Sequence, residues 1–208
     1  MKTIETKDPV TKKLNEIEKI HELFQHSFEQ SARSIAQIVG RDMKVSEFTL
    51  HFISSEHFVN QIEYDLDGLY FASVMKISNL LDTHIVLLIS EQEGRSIYNS
   101  IIHEGETCEQ KITSEMTRNI GELNNIMGSA FINCLADSLH QTIHNTVPVN
   151  TFDMLGAIVQ SIVMQEDIIE KEILIADATM HEMNQQTFHV RLVILAEKKQ
   201  LLELMTRL

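Results

Sequence analysis

The stretch Ser114 to Pro148, SEMTRNIGELNNIMGSAFINCLADSLHQTIHNTVP, decides how the rest of the chain is read. Apolar side chains at Ile120, Leu123, Met127, Ala130, Phe131, Cys134, Leu135 and Leu139 follow the three-and-four spacing of a helix with one face on a core. On the opposite face Arg118, Glu122, Asn125, Ser129 and Asn133 recur at steps of four, three, four and four, which stacks them in one row. Asn124, Asn125 and Asn133 lie inside this helix together with Gly121 and Gly128, all weak helix formers. Places where local rules give way are often functional, so the polar row is the first candidate site.

The spacing around that row extends further. Glu122-x-x-Asn125 is followed by twenty-two residues, then Pro148, then Phe152-Asp153-Met154-Leu155-Gly156-Ala157. This pattern resembles the signature of the CheC, CheX and FliY family of chemotaxis phosphatases. The resemblance spans nearly the whole chain and is strongest over Ile120 to Val159.

Composition bounds the alternatives. With 208 residues and 43% hydrophobic content the chain can bury one substantial core, and a single domain is expected. A formal charge of -13, with no cluster of Lys and Arg, argues against nucleic acid and anionic lipid, leaving small molecules or proteins as partners. The N-terminal MKTIETKDPVTKK has no apolar run of the signal-peptide kind, and no later run is long enough to span a bilayer, so a cytoplasmic protein is expected. Cys108 and Cys134 form no C-x-x-C pair, and Cys134 falls on the apolar stripe, where a buried thiol is ordinary.

Taken in order, Thr11 to Val39 reads as a long helix through Leu14, Ile17, Ile20, Leu23, Phe24, Phe28, Ala32, Ile35 and Ile38, stopped by Gly40. From Met43 the period shortens toward two. KVSEFTLHFIS, FVNQIEYDL, LYFASVMKI and THIVLLIS read as strands of one sheet, with Ser78 to Asp82 linking two antiparallel members. A short helical pattern follows over Glu91 to His103, and the polar segment after Gly105 makes a joint between halves. Beyond the central helix come a short extended piece at Val147 to Thr151 and a helix Met154 to Met164 with Asp153 as its N-cap. The strands KEILIADATM and QTFHVRLVILAE and a last helix through Leu201, Leu202 and Met205 complete the chain.

Helix, strands and helix therefore occur twice, the pattern of a diverged internal duplication. Aligning the two long helices places Glu22 against Glu122, Gln25 against Asn125, Glu18 against Arg118 and Phe48 against Pro148.

The resemblance implies an α+β fold of pseudo-symmetric, CheC-like form, with one antiparallel-rich sheet and two long helices on its outer face. The single domain, residues 1–208, would consist of two diverged repeats at about 11–104 and 114–208. CheX-like chains are shorter, and FliY-like chains continue into a further module, so CheC itself is expected to be the nearest member. The implied activity is removal of the phosphoryl group from the aspartate of a CheY-type response regulator. The regulator supplies the Mg2+, and the phosphatase needs no cofactor of its own. Asn125 would accept a hydrogen bond from the attacking water and donate to the phosphoryl oxygens, while Glu122 would pair with a lysine of the regulator. Glu22 and Gln25 form the corresponding first-half pair. Arg118 and Ser129, in the same row as Glu122, are candidate partner contacts. A second implied partner is the receptor deamidase CheD, bound through Asp153, Gly156 and Ala157. The internal duplication favours a monomer.

The chain departs from the family's pattern at Arg118, where Asp or Ser is usual, at Gln25, which is longer than Asn by a methylene, and at Phe48 in place of proline. Two readings follow: a working phosphatase, or a CheC-like adaptor that docks to a regulator, to CheD or to the flagellar switch without turnover. Other chemistries find no support. His140 and His144 lie four apart with no third ligand in reach, so no metal site is expected. The glycines make neither G-x-G-x-x-G nor a P-loop, and no G-x-S-x-G is present.

Overall fold

A computed structural model describes residues 9–54, 66–79, 83–99, 111–165, 171–182, 187–197, 200 and 203. Four helices are found among them: α1 (Pro9–Val39), α2 (Glu91–Ile97), α3 (Ser114–Leu139) and α4 (Leu155–Gln165). The strands are β1 (Met43–Ser54), β2 (Leu69–Ser78), β3 (Thr83–Ser90), β4 (His144–Asn145), β5 (Val149–Met154), β6 (Lys171–Glu182) and β7 (Thr187–Glu197). The fold class is α+β, as the sequence implies. Residues 58–65 of an expected strand, the helical pattern from residue 100 on, the joint around Gly105, Cys108 and most of the last helix lie outside the described residues.

The seven strands form one sheet in the order β1-β6-β7-β3-β2, with β4 and β5 both along the outer edge of β2, and every pairing is antiparallel. β1 does not pair with β2, the next strand in the chain, but with β6, while β5 pairs with β2. Exchanging β1 with β5, β2 with β6 and β3 with β7 returns the same order, so the sheet has the two-fold form of a pseudo-symmetric fold.

Alternation along the strands makes both faces apolar. Phe71, Met75, Ile77, Ile85, Leu87, Ile89, Leu192 and Ile194 point to one side, where they meet α1 and α3. Ala72, Val86, Leu88, Ile173, Ile175, Val193 and Leu195 point to the other, against Leu155, Ile158 and Ile162 of α4. Burial on two faces is the reason THIVLLIS reads as an unbroken apolar run. The two long helices therefore share one face, and α4 lies on the opposite one.

α1 and α3 pack side by side. Phe131 sits edge-on to Phe24, with ring centroids 5.0 Å apart, and to Phe28, at 5.7 Å. Such pairs add about 0.5–1.5 kcal/mol each beyond the area they bury. α1 ends at Gly40 in the left-handed region, φ 67°, as the sequence predicts. α3 opens on Thr113, whose side chain accepts from the Met116 N–H, and closes on His140, φ 52°. His140 and His144 thus share no helix face, since α3 stops between them and His144 lies in β4.

The helix after Pro148 starts differently from expectation. β5 runs on through Met154, and α4 begins at Leu155, so Asp153 lies in the strand and is not the N-cap. Its carboxylate accepts from the Met154 N–H at 2.8 Å. The N–H groups of Leu155 and Gly156 go instead to the carbonyls of Gly68 and Leu66, both at 2.9 Å. Backbone from the turn before β2 does the work assigned to a side chain.

Candidate functional site

α3 lies across the sheet on its apolar stripe. Ile120, Leu123, Met127, Phe131, Cys134, Leu135 and Leu139 are buried, and Ala130 is half-buried. The opposite row is open: Arg118, Glu122 and Asn133 are exposed, and Asn125 and Ser129 are half-buried. Glu122 and Asn125 stand one turn apart on this outer face. Ser129 Oγ lies 3.5 Å from Asn125 Oδ1, the outer limit of a hydrogen bond, so the Asn125 amide is only weakly tethered. Among the described residues no ion pair joins Arg118 to Glu122.

The first-half residues form a similar row on α1, where Glu18 and Glu22 are exposed and Gln25 is half-buried. Beyond Gln25 this face carries a polar network: Glu29 lies 3.7 Å from Arg33 and 3.9 Å from His26, and His26 lies 3.5 Å from Gln30. Phe48, aligned with Pro148, turns its ring edge-on to His21 at 4.9 Å and packs on Phe28 at 5.6 Å. It therefore packs on α1 through His21 and Phe28, while Glu22 stays exposed.

Asp153, Gly156 and Ala157 do not join either row. Gly156 and Ala157 begin α4, on the sheet face away from α3, and the side chain of Asp153 alternates to that same face. A partner docked on them would not cover Asn125.

Two features of α3 have a different origin from the polar row. Asn124 is fully buried, and neither atom of its amide finds a hydrogen-bond partner among the described residues. Gly121 and Gly128 are close-approach positions. A Cβ on Gly128 would collide with the Met75 side chain, and one on Gly121 would lie 2.5 Å from Asn150 Nδ2 and 2.7 Å from Asn150 Cγ. Asn150, on β5, is paired across the strands with buried Ser73, whose Oγ donates to Asn150 Oδ1 at 2.5 Å. Neither Ser73 nor Asn150 stands out in the sequence. The one cue to them is Gly121, a residue that demands a close neighbour, directly before Glu122.

No family model matches the sequence, and no curated protein matches it. The structure does have counterparts. Thermotoga maritima FliY shares it over 97% of this chain and 97% of that one, at 15% identity and a TM-score of 0.76. The chain has the CheC, CheX and FliY fold. A chain of the Helicobacter pylori FliG-FliM complex matches over 91% of this chain and 98% of its own, with TM-score 0.62 and 7% identity. One from the Borrelia burgdorferi CheX-CheY complex with BeF3 and Mg2+ matches over 84% and 98%, with TM-score 0.50 and 13% identity. Within this fold no described helix is long and apolar enough to cross a membrane.

Proposed function

We propose that this chain is a phosphatase for the aspartyl phosphate of a CheY-type response regulator, with Asn125 holding the attacking water and Glu122 contacting the regulator. The observation that carries the reading is the placement of Glu122 and Asn125 one turn apart, facing outward, on a helix of a fold that also occurs in a CheX-CheY complex. Water attacks phosphorus in line, the bond from phosphorus to the aspartyl oxygen breaks, and inorganic phosphate leaves a free carboxylate. An acyl phosphate is reactive enough that orientation supplies most of what is needed. Asn125 Oδ1 accepts from the water, and Nδ2 donates to a phosphoryl oxygen. The weak Ser129 contact leaves that amide free to turn into position.

In this reading the Mg2+ of the reaction is bound by the regulator, and the α3 row contributes the water-positioning amide and a docking carboxylate. Glu22 and Gln25 form a second, weaker face of the same kind. A regulator as substrate fits a cytoplasmic protein, and the internal two-fold of the sheet is in keeping with a monomer.

The decisive experiment follows phosphate decay on an acetyl-phosphate-charged regulator from the same cell, with wild type, Asn125→Ala and Gln25→Ala. Acceleration lost in Asn125→Ala alone supports the α3 site. A wild type that binds the charged regulator without accelerating decay overturns the phosphatase reading. The adaptor reading then takes its place, favoured by the exposed cation of Arg118 beside Glu122 and by a shared fold with a chain of the FliG-FliM complex.

A further inference from the structure

The α3 turn that bears Glu122 and Asn125 meets β5 at one close contact. Gly121 is buried, and its Cα faces Asn150 so closely that an added Cβ would fall 2.5 Å from Nδ2, 2.7 Å from Cγ and 3.1 Å from Cβ of that residue. Asn150 is partly open to solvent, and what holds its amide inward is the hydroxyl of fully buried Ser73, which donates to Oδ1 at 2.5 Å. Ser73 and Asn150 face one another in the β2–β5 ladder, so pairing fixes where the Asn150 side chain starts and the hydrogen bond fixes where its amide ends. Above Asn150, the helix presents no side chain at Gly121, and at Asn124, one turn on, it presents a buried amide without partners among the described residues. At this end, therefore, α3 meets β5 through a polar contact beside the apolar packing of Met116, Ile120 and Leu123.

We propose that Asn150 is a positioning residue: braced by Ser73 and pressed against Gly121, its side chain sets the height of the α3 turn that presents Glu122 and Asn125. The inference rests on the phosphatase reading for its rate measurement and on the geometry alone for the rest. It also gives Pro148 a mechanical role. Proline fixes its own φ and steers the chain into the extended conformation two residues before Asn150, so the start of β5 is set where the amide must meet the helix. A positioning group of this kind matters because a shift of about 1 Å in the reacting groups can cost about 10²-fold in rate.

The experiment is a double-mutant cycle in the full chain. Gly121→Ala places a methyl group against Asn150, and while Ser73 holds the amide the helix is expected to rise. Saturated dephosphorylation of the acetyl-phosphate-charged regulator is expected to fall by at least about tenfold. Adding Asn150→Ala removes the two nearest contacts and leaves only the Cβ at 3.1 Å, so the double variant is expected to recover most of the lost rate. Adding Ser73→Ala instead frees Asn150 to turn and is expected to recover part of it. Rescue by a second truncation is not the behaviour of a merely structural residue, whose losses would accumulate.

A double variant no faster than Gly121→Ala, or a Gly121→Ala protein as fast as wild type, overturns the proposal. Should Gly121→Ala fail to fold, Asn150→Ala alone decides. It is expected to lower the saturated rate at least about tenfold with KM for the regulator changed less than about threefold, and an unchanged rate overturns the proposal. Should wild type show no acceleration, the phosphatase reading has failed on its own. The same cycle is then read as affinity for the regulator charged with beryllium fluoride. Loss in Gly121→Ala and recovery in the double variant support the positioning role, and any other pattern overturns it.

Discussion

Ser31 on α1 donates from its hydroxyl to the carbonyl oxygen of Met127 on α3, at 2.9 Å, from a position that is 1% exposed. The same hydroxyl lies 2.9 Å from the Ser27 carbonyl, so one hydrogen is shared between the local turn and the neighbouring helix. The contact adds a directional tie between α1 and α3 to their apolar packing. Ser31→Ala is expected to cost about 1 kcal/mol. Ser31→Leu, which forces the helices apart, should cost about 1–3 kcal/mol. Urea unfolding reads both, with an unchanged m-value marking a loss of stability rather than of compactness.

Phe131 is the residue both helices share. It is 1% exposed and touches the rings of Phe24 and Phe28. Phe131→Ala is expected to lower stability by about 3–5 kcal/mol, the range for a buried phenyl ring removed from a core. A melting midpoint within about 3 °C of wild type would show that the helices do not depend on this contact.

Asp153 was the natural N-cap on sequence grounds, and removing a true cap costs about 1 kcal/mol. The structure hands the helix N–H groups to Gly68 and Leu66 instead. Asp153→Ala is therefore expected to stay within about 0.5 kcal/mol of wild type. A full kilocalorie of loss in chemical denaturation would return the capping role to the aspartate.

In the phosphatase reading, Asn125→Ala is expected to reduce regulator dephosphorylation by about 10²-fold or more, as removal of other transition-state hydrogen bonds does. Melting should be unchanged, since the side chain packs against nothing it must hold. Arg118→Ser bears on the same face. Exposed and forming no ion pair with Glu122, Arg118 should alter regulator affinity by no more than about fivefold, the effect of about 1 kcal/mol. Titration against the beryllium-fluoride-charged regulator measures it.

What the sequence made legible, and what it did not, divides along physical lines. The stripes of α1 and α3, the strands and the outward row from Arg118 to Asn133 follow from local periodicity, which is written residue by residue. Asn124 and Asn125 illustrate the limit: adjacent and chemically identical, one is buried beneath the helix and the other looks out. Gly121 and Gly128 drew attention as poor helix formers, but their reason is contact with Asn150 and Met75, and long-range contacts leave no local trace. Strand order was equally hidden, because nothing in KVSEFTLHFIS states that its partner is KEILIADATM.

That pairing bears on how the protein is born. β1 leaves the ribosome well before its partner β6, and Ser54 waits for Glu172. At about 5–20 residues per second the wait is on the order of ten seconds, during which a nascent strand is exposed to every other chain in the cell. The register shift between Val45 and Glu47, and the charges of Lys44 and Glu47 on a strand that ends the sheet among the described residues, are the features that discourage a foreign strand from pairing there first.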